Sequence, residues 1–300
     1  MIINERKTSA IASSVIWAPT TIKEALAKKK QFGTEAEYIS SGTLLQLQWE
    51  NGKKVPKYLI SLEKIQELRA VEEHTDELVI GALTSLASCR KHSLIKKEET
   101  NLLAEAVAFI AAPAVRNRAT IGGNIAGRVG DVIPALLALD AQVTIQNEEK
   151  RYKQALWGWF INQADEQGIL TNVHLPIYES TQNVHRFYKK IGRREAFTAA
   201  IVTIAGCIKW SSAGELIFVR IAVGGGDNVP QRLLQTERLL TGKQHSSVNW
   251  KEIYTSIIEE FIPATDVFVS GEYRKKIAAN LIISQLKLQG LLTEFSDERS

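Results

Sequence analysis

The sequence predicts an α+β fold, and three features of its hydrophobic pattern support that class. Between residues 34 and 68, short β-type and helical patterns alternate, which is typical of a small parallel sheet. Residues 201–210 and 216–223 have the composition of two strands, and the Ser-Ser-Ala-Gly turn between them predicts an antiparallel hairpin. Helices are predicted to complete the C-terminal part of the chain, at about 237–240, 250–260 and 273–288.

Local signals place the elements of the N-terminal half in order. Thr21, followed three residues later by Glu24, forms a capping box, and the helix that it starts is expected to run to about Lys30. The spacing of apolar residues predicts a second helix over 101–112, ended by Pro113. Predicted strands lie at residues 37–40, 57–61, 77–82 and 141–146.

The most informative stretch runs from Thr120 to Asp131 and contains four glycines. Glycines leave backbone N–H groups uncovered and allow positive φ, so such a loop can lie close to phosphate oxygens. An apolar helix at 132–139 is predicted directly after it, with Asp131 as its N-cap and Pro134 in its first turn. The dipole of that helix start favours an anion. The stretch is interpreted as a nucleotide-cofactor loop; in the competing interpretation, the glycines serve only turns.

A second candidate loop, Ser40-Ser41-Gly42-Thr43, follows the predicted strand at 37–40 and precedes an apolar helix that includes Leu44. A strand, a turn of small residues and a helix form a general layout for holding phosphate. Ser-Gly turns are common, so this pattern alone is a weak signal.

Two longer segments resemble the signature of one enzyme family. They are VRNRATIGGN at 115–124 and DVIPALLALDA at 131–141. The family is that of the FAD-binding medium subunits of molybdenum hydroxylases, which includes xanthine dehydrogenase and carbon monoxide dehydrogenase flavoproteins. The resemblance runs from about residue 17 to 288. It implies the vanillyl-alcohol-oxidase/CO-dehydrogenase type FAD-binding fold, with two α+β subdomains and a C-terminal domain of a small antiparallel sheet plus helices.

The chain is accordingly expected to form two domains. An FAD-binding domain would span 1–178, with subdomains of about 1–68 and 69–178, and a C-terminal domain that resembles CO dehydrogenase flavoproteins would span 179–300. The segment from Phe187 to Phe197 resembles the family's strand at the entry to that second domain, where a lysine approaches the flavin. Alignment on its pair of arginines makes Lys189 the first candidate for this lysine, and Lys190 the second.

The resemblance implies that both glycine-bearing segments bind FAD. Backbone N–H groups of Gly42, Gly122 and Gly123 would serve the pyrophosphate, and Asn124 and Asp131 the phosphate, ribityl chain or ring. A cation at Lys189 would favour the reduced, anionic flavin. The predicted FAD contacts are Ser40, Ser41, Gly42, Thr43, Leu44, Thr120, Ile121, Gly122, Gly123, Asn124, Asp131 and Lys189.

Three features depart from the family's pattern. Ser41 stands where a glycine is usual, and Leu44 stands where a polar residue is usual. The connection 124–131 is about two residues shorter than the usual loop, which borders the flavin and its electron acceptor. The use of NAD⁺ therefore carries over less firmly than the use of FAD.

Composition excludes several other classes of function. The 300 residues are 45% hydrophobic and 23% charged, with a net charge of +4, which is ordinary for a globular protein. The run Lys28–Lys30 lacks interleaved aromatics, so it predicts a solvated face and no nucleic-acid site. Cys89 and Cys207 have no metal-ligand spacing, and free thiols suit the cytoplasm. No apolar run is long enough to predict a membrane span, and no charged segment followed by an apolar core at the N-terminus predicts a signal peptide.

The function that the resemblance implies is electron relay. A partner subunit with molybdopterin would oxidise the substrate, a second partner with Fe–S clusters would pass the electrons on, and the FAD here would deliver them to NAD⁺ or another acceptor. Purines are the preferred substrate class as a hypothesis, with carbon monoxide and other heterocycles open. No catalytic side chain and no metal site are predicted, because the cofactor carries the chemistry. Two alternatives remain: a self-sufficient FAD oxidase of the same fold, and a non-catalytic scaffold subunit.

Overall fold

The computed structural model describes residues 14–162, 168–177, 184–193 and 200–297, with side chains described as far as residue 288. Within these residues the strands form three sheets and the helices cover them, which confirms the α+β class. No helix in this described part is both long and apolar enough to cross a bilayer. The predicted domain boundary between residues 178 and 179 lies outside the described residues.

The first sheet has three parallel strands in the order β1-β3-β2, which confirms the predicted small parallel sheet. Its elements are β1 (Val15–Trp17), α1 (Ile22–Phe32), β2 (Ala36–Ile39), α2 (Thr43–Glu50) and β3 (Tyr58–Ser61). One half of the predicted capping box is confirmed, because the Glu24 amide donates to Thr21 Oγ1 at 3.2 Å. The other half differs, because the Glu24 carboxylate accepts from the Thr20 amide at 2.9 Å and not from that of Thr21. Helix α1 buries Ile22, Ala25 and Leu26 against this sheet.

The second sheet is antiparallel, with five strands in the order β4-β5-β8-β6-β7. Its strands are β4 (Val71–Glu73), β5 (Glu77–Gly81), β6 (Gln142–Gln146), β7 (Arg151–Ala155) and β8 (Ile169–Pro176). Six short helices accompany it: α3 (Leu86–Lys91), α4 (Asn101–Ala108), α5 (Pro113–Arg118), α6 (Ile121–Ala126), α7 (Ile133–Ala138) and α8 (Leu156–Ile161). The largest core cluster lies between this sheet and its helices.

The predicted helix over 101–112 is wrong at its C-terminal end. Helix α4 stops at Ala108, and Pro113 opens helix α5 instead of ending α4. Proline disfavours helical backbone at the preceding residue, and Ala112 is extended, with ψ of 156°. Proline at a first helical position leaves no donor unsatisfied, so it is well suited to start α5.

The start of α7 also differs from the prediction. Pro134 does lie in its first turn, but the N-cap residue is Val132 and not Asp131. The Asp131 carboxylate is 2.7 Å from the Lys190 ammonium of another sheet. An opposite charge within hydrogen-bond reach draws the carboxylate away from the helix end.

The third sheet is antiparallel, in the order β12-β11-β10-β9, and contains the predicted hairpin as β10–β11. Its strands are β9 (Val184–Gly192), β10 (Ala200–Trp210), β11 (Leu216–Gly225) and β12 (Asn228–Arg232). Three helices follow: α9 (Leu234–Leu240), α10 (Trp250–Glu260) and α11 (Gly271–Asp297). Helix α10 has the predicted bounds, whereas α11 continues beyond the predicted residue 288.

The third sheet has a core on each face. One face packs against α9, α10 and α11 in a cluster of its own. On the other face, Tyr188, Ala205, Cys207 and Ala222 belong to the largest core cluster, together with the residues of α7. Helix α7 therefore lies between the second and third sheets, and the stretch that precedes it is held where they meet.

Candidate functional site

The first glycine-bearing segment in chain order, residues 40–43, joins strand β2 to helix α2. Gly42 is the N-cap residue of α2 and is left-handed, with φ of 72°, a conformation that favours glycine. No side chain in the described part of the chain caps this helix end. The first-turn amides at 43–45 have no intrahelical partners, so they are donors for a ligand or for water.

The second glycine-bearing segment forms helix α6, so its prediction as a loop is wrong. Thr120 is the N-cap residue, and its Oγ1 accepts from the Gly123 amide at 3.1 Å. The Gly122 amide donates to the Ala82 carbonyl at 2.9 Å. The prediction that the Gly122 and Gly123 amides are bare donors for phosphate is therefore also wrong, because the protein already uses both.

The two adjacent glycines meet different surroundings. Gly122 is buried, and a Cβ there would lie 2.7 Å from Ala82 Cβ and 2.8 Å from its carbonyl oxygen. Gly123 is exposed, and a Cβ there would point at Thr120 Oγ1 and at Ser40 Oγ, 3.0 and 3.4 Å away. Gly122 thus permits close packing of α6, whereas Gly123 borders the junction of the two segments.

The two segments, eighty residues apart in sequence, meet in space. Ser40 Oγ and Thr120 Oγ1 are 3.2 Å apart and share a hydrogen bond. They open into a cleft of about 220 Å³ lined by Ser40, Ser41, Glu63, Arg69, Leu83, Ser85, Asn117, Arg118 and Thr120. Hydroxyl, amide and guanidinium groups dominate this lining, which also contains the carboxylate of Glu63 and the apolar side chain of Leu83. Such a set of donors suits an anionic or hydroxyl-rich ligand.

Leu44 contributes packing instead of a polar contact. A Cβ on Gly127, at the C-terminal end of α6, would lie 2.4 Å from Leu44 Cδ2. The leucine side chain therefore rests on the α6 backbone and holds α2 against it. The predicted residue Ile121 is also a packing residue, since it is fully buried in the main core cluster.

The turn after α6 encloses the Asn124 side chain. A Cβ on Gly130 would lie 1.9 Å from Asn124 Oδ1, so only glycine fits there. Among the described residues, Asn124 Oδ1 is buried with no hydrogen-bond partner, a state that proteins rarely leave unsatisfied. Arg128, with φ of 62°, donates to the Phe160 carbonyl at 2.8 Å and fixes the turn on α8.

The end of this segment is bound to strand β9. Lys190 Nζ is 2.7 Å from Asp131 Oδ2, and the Tyr188 hydroxyl donates to the Asp131 carbonyl at 2.9 Å. The structure thus brings Lys190, the second candidate, to Asp131. Lys189 is exposed and points to the opposite face of the strand, since side chains alternate along β9.

Several residues near these segments were not predicted from sequence. Phe109 is half exposed, and its ring lies 5.8 Å from the Tyr188 ring. Arg118 and Ser85 line the cleft. Arg118 stands two residues before Thr120, so the quoted signature itself was the available signal. Ser85 caps α3, and nothing local distinguishes it from an ordinary cap.

No strong nucleophile lies among the described residues of this region. Burial raises the pKa of the Cys89 and Cys207 thiols to about 12, so neither provides a thiolate near neutral pH. No three His, Cys, Asp or Glu side chains of the described residues come together as metal ligands. The arrangement of the cleft is suited to binding and positioning.

Comparison with known proteins identifies families for both parts of the chain. Residues 9–178 match the family described as the FAD binding domain in molybdopterin dehydrogenase, and residues 186–287 match the CO dehydrogenase flavoprotein C-terminal domain. The chain is 30% identical over 277 residues to the carbon monoxide dehydrogenase medium chain of Hydrogenophaga pseudoflava. The aligned region covers 88% of this chain and 93% of the relative. It is 27% identical to the glyceraldehyde dehydrogenase medium chain of Sulfolobus acidocaldarius, over 77% of this chain and 83% of the relative.

Solved structures have the same architecture. Carbon monoxide dehydrogenase from Hydrogenophaga pseudoflava aligns with a TM-score of 0.83 and 25% identity, over 90% of this chain and 94% of its own. Quinoline 2-oxidoreductase from Pseudomonas putida 86 aligns with a TM-score of 0.79 at 22% identity, over 93% of this chain and 96% of its own, which supports the fold alone. The chain therefore belongs to the FAD-binding medium subunits of molybdenum hydroxylases, oxidoreductase subunits with the vanillyl-alcohol-oxidase/CO-dehydrogenase type FAD-binding fold.

Proposed function

We propose that this chain is the electron-transfer subunit of a xanthine dehydrogenase-like molybdenum hydroxylase complex. In this complex a molybdopterin-binding large subunit would pass electrons to a partner with Fe–S clusters. This chain would receive the electrons from that partner and pass them to NAD⁺ or another acceptor. The observation that carries the proposal is the meeting of the two glycine-bearing segments at Ser40 and Thr120. The names of relatives as medium chains or FAD subunits of dehydrogenases support the same role.

The residues present fit FAD. The uncapped end of α2 offers backbone donors, the cleft is lined by hydroxyl and guanidinium groups, and Asn124 Oδ1 is a buried acceptor with no partner among the described residues. The cleft volume of about 220 Å³ is below the roughly 300–1,000 Å³ of a drug-sized pocket, so it suits one part of a dinucleotide. Backbone amides at a helix start are a general anion site.

The predicted contacts then divide by role. The amides of Thr43 and Leu44 bind the pyrophosphate, since the Gly122 and Gly123 amides are already used. The hydroxyls of Ser40, Ser41 and Thr120 add donors beside them. Gly42 provides the left-handed turn, and Gly123 leaves the approach open.

The remaining contacts concern the flavin half. Bound FAD supplies reversible redox chemistry. Asn124 and Asp131 orient its ribityl chain and ring, while Ile121 holds α6 in the core that excludes water from behind the site. Lys189 remains a prediction as the cation that tunes the flavin, and substrate selection belongs to the molybdopterin partner.

The cofactor proposal is tested on the purified chain. We expect a flavin absorbance spectrum, release of FAD identified by mass, and rebinding of added FAD by the stripped protein. A colourless chain that refuses added FAD would contradict the binding site. Organic-substrate oxidation by the chain alone would instead favour the self-sufficient oxidase.

The partner and acceptor proposals need separate measurements. Affinity purification from the native source is expected to recover one Fe–S subunit and one molybdopterin subunit in fixed ratio. NADH is expected to bleach the flavin absorbance of the isolated chain if NAD⁺ is the acceptor. Recovery of the chain free of both subunits would contradict the relay, and an unbleached spectrum would exclude NAD⁺.

A further inference from the structure

Lys190 makes two contacts that join separate parts of the fold. Its ammonium lies 2.7 Å from Asp131 Oδ2 and donates to the Phe109 carbonyl at 3.1 Å. The side chain of Lys190 is 8% exposed and that of Asp131 is 19% exposed. A cation on β9 thus binds the end of α4 and the end of the glycine-bearing segment together.

Tyr188 holds the same aspartate by its main chain. Its hydroxyl donates to the Asp131 carbonyl at 2.9 Å. Burial, with a smaller contribution from the Asp131 charge, raises the pKa of Tyr188 well above its usual range, so the phenol stays protonated and keeps this donor. Side chains two residues apart lie on one face of a strand, so Tyr188 binds the backbone of Asp131 and Lys190 binds its carboxylate from the same face of β9.

A buried ion pair of this kind is not explained by stability alone. Desolvation of two charges offsets most of their attraction, and apolar residues of similar size often stabilise as much. What the pair does provide is a fixed position for Asp131. That position matters, because Asp131 follows directly on the turn in which Gly130 closes over Asn124 Oδ1, an atom with no hydrogen-bond partner among the described residues.

We propose that Lys190 is a positioning residue for FAD: through the Asp131 carboxylate it sets the 127–131 turn that faces the flavin half, so that FAD retention depends on the docked C-terminal sheet. This inference rests on the proposed function. It gives Lys190 a role that acts on the protein and reaches the cofactor only through Asp131.

The test measures FAD affinity of the full chain by quenching of flavin fluorescence. Lys190→Met is expected to raise the dissociation constant about tenfold, as when only a tenth of molecules hold the competent turn. Lys190→Arg keeps a charge that can reach Asp131 and should restore most of the affinity. Asp131→Asn alone and Asp131→Asn combined with Lys190→Met should bind FAD equally weakly, because the effect of Lys190 on FAD passes through the Asp131 carboxylate.

A matched control removes a cation of the third sheet that binds the far end of α7. Arg220 is 2.9 Å from Asp140, and Arg220→Met should lower thermal stability without changing the FAD dissociation constant. Equal FAD binding by wild type and Lys190→Met, or additive effects in the double variant, would overturn the inference. If Lys190→Met does not fold, the inference is tested on Lys190→Arg and on the double variant, which leaves no unpaired charge. A wild-type chain that fails to bind FAD contradicts the proposed function itself.

Discussion

The adjacent residues Gly122 and Gly123 separate packing from binding within one turn of helix. A Cβ on Gly122 would meet the Ala82 backbone, which cannot move without shifting strand β5 and its connection. A Cβ on Gly123 would meet only the hydroxyls of Thr120 and Ser40, which line the cleft. The first glycine therefore belongs to the fold and the second to the site.

Substitution of each glycine tests this division. Gly123→Val should abolish FAD retention and leave the circular dichroism spectrum and unfolding midpoint close to wild type. Gly122→Ala should destabilise the chain by about 1–3 kcal/mol, the usual cost of forced overpacking. Chemical denaturation and cofactor content are measured on both. Full flavin occupancy in Gly123→Val would contradict the assignment of α6 to the site.

His185 is a partly buried residue whose lowered pKa makes the stability of the chain depend on pH. Burial, with smaller contributions from the charges of Arg186 and Lys189, lowers its pKa from 6.5 to about 4. The folded chain thus binds the proton more weakly than the unfolded chain. By linkage, its contribution to stability is complete above about pH 6.5 and is lost as the pH falls toward 4.

Removal of the imidazole should flatten that loss. The difference in unfolding midpoint between pH 6.5 and pH 4 is expected to be smaller in His185→Gln than in wild type, since both share all other titrating groups. Thermal unfolding at several pH values measures it. Parallel curves for the two proteins would show that His185 does not titrate in this window.

Among the elements, α6 is a helix that the local sequence pattern does not predict, because it depends on a contact distant in sequence. Glycine is a poor helix former, so Gly122 and Gly123 together predict a loop. The helix forms because Thr120 caps it and because the Gly122 amide finds the Ala82 carbonyl, a partner distant in sequence. The α1 cap, by contrast, involves only neighbours in sequence, and sequence correctly predicts that Thr21 accepts from the Glu24 amide.

The phase of strand β9 is a similar case. Sequence alignment makes Lys189 the first candidate for the lysine near the flavin, which stays a prediction, and the structure brings Lys190 to Asp131. A shift of one residue moves a side chain to the other face of a sheet, so only the pairing of β9 with β10 decides which lysine faces inward. The predicted segments were thus found together, while the direction of individual donors depended on tertiary contacts.

The contact between α2 and α6 is testable as a pair. Leu44→Ala should cost about 1–2 kcal/mol, below the usual range for a fully buried leucine because Leu44 is only partly buried. Gly127→Ala alone should also destabilise, since its Cβ would approach Leu44 Cδ2 to 2.4 Å. The double variant should be about 1 kcal/mol more stable than the sum predicts. Urea unfolding checks this, with Leu47→Ala, 55% exposed on the same helix, as the control; strict additivity would contradict the contact.

At the scale of the whole molecule, the third sheet is not an independent body. Its inner face supplies Tyr188, Ala205, Cys207 and Ala222 to the largest core. Charged contacts bracket α7 at both ends, with Asp131 on Lys190 and Asp140 on Arg220. The family resemblance predicts two domains, but the sequence contains no local signal for the core that the second and third sheets share.

A shared core predicts one cooperative unfolding transition. Separation of the third sheet would expose apolar residues of α7, a helix too short to persist alone. Calorimetry of the FAD-free chain should give one peak, with equal calorimetric and van't Hoff enthalpies, and FAD should raise its midpoint as a whole. Two peaks, of which FAD shifts only one to a new temperature, would mean that the sheets unfold separately. In that case the cross-sheet contacts of Asp131 could not couple the C-terminal part of the chain to the cofactor.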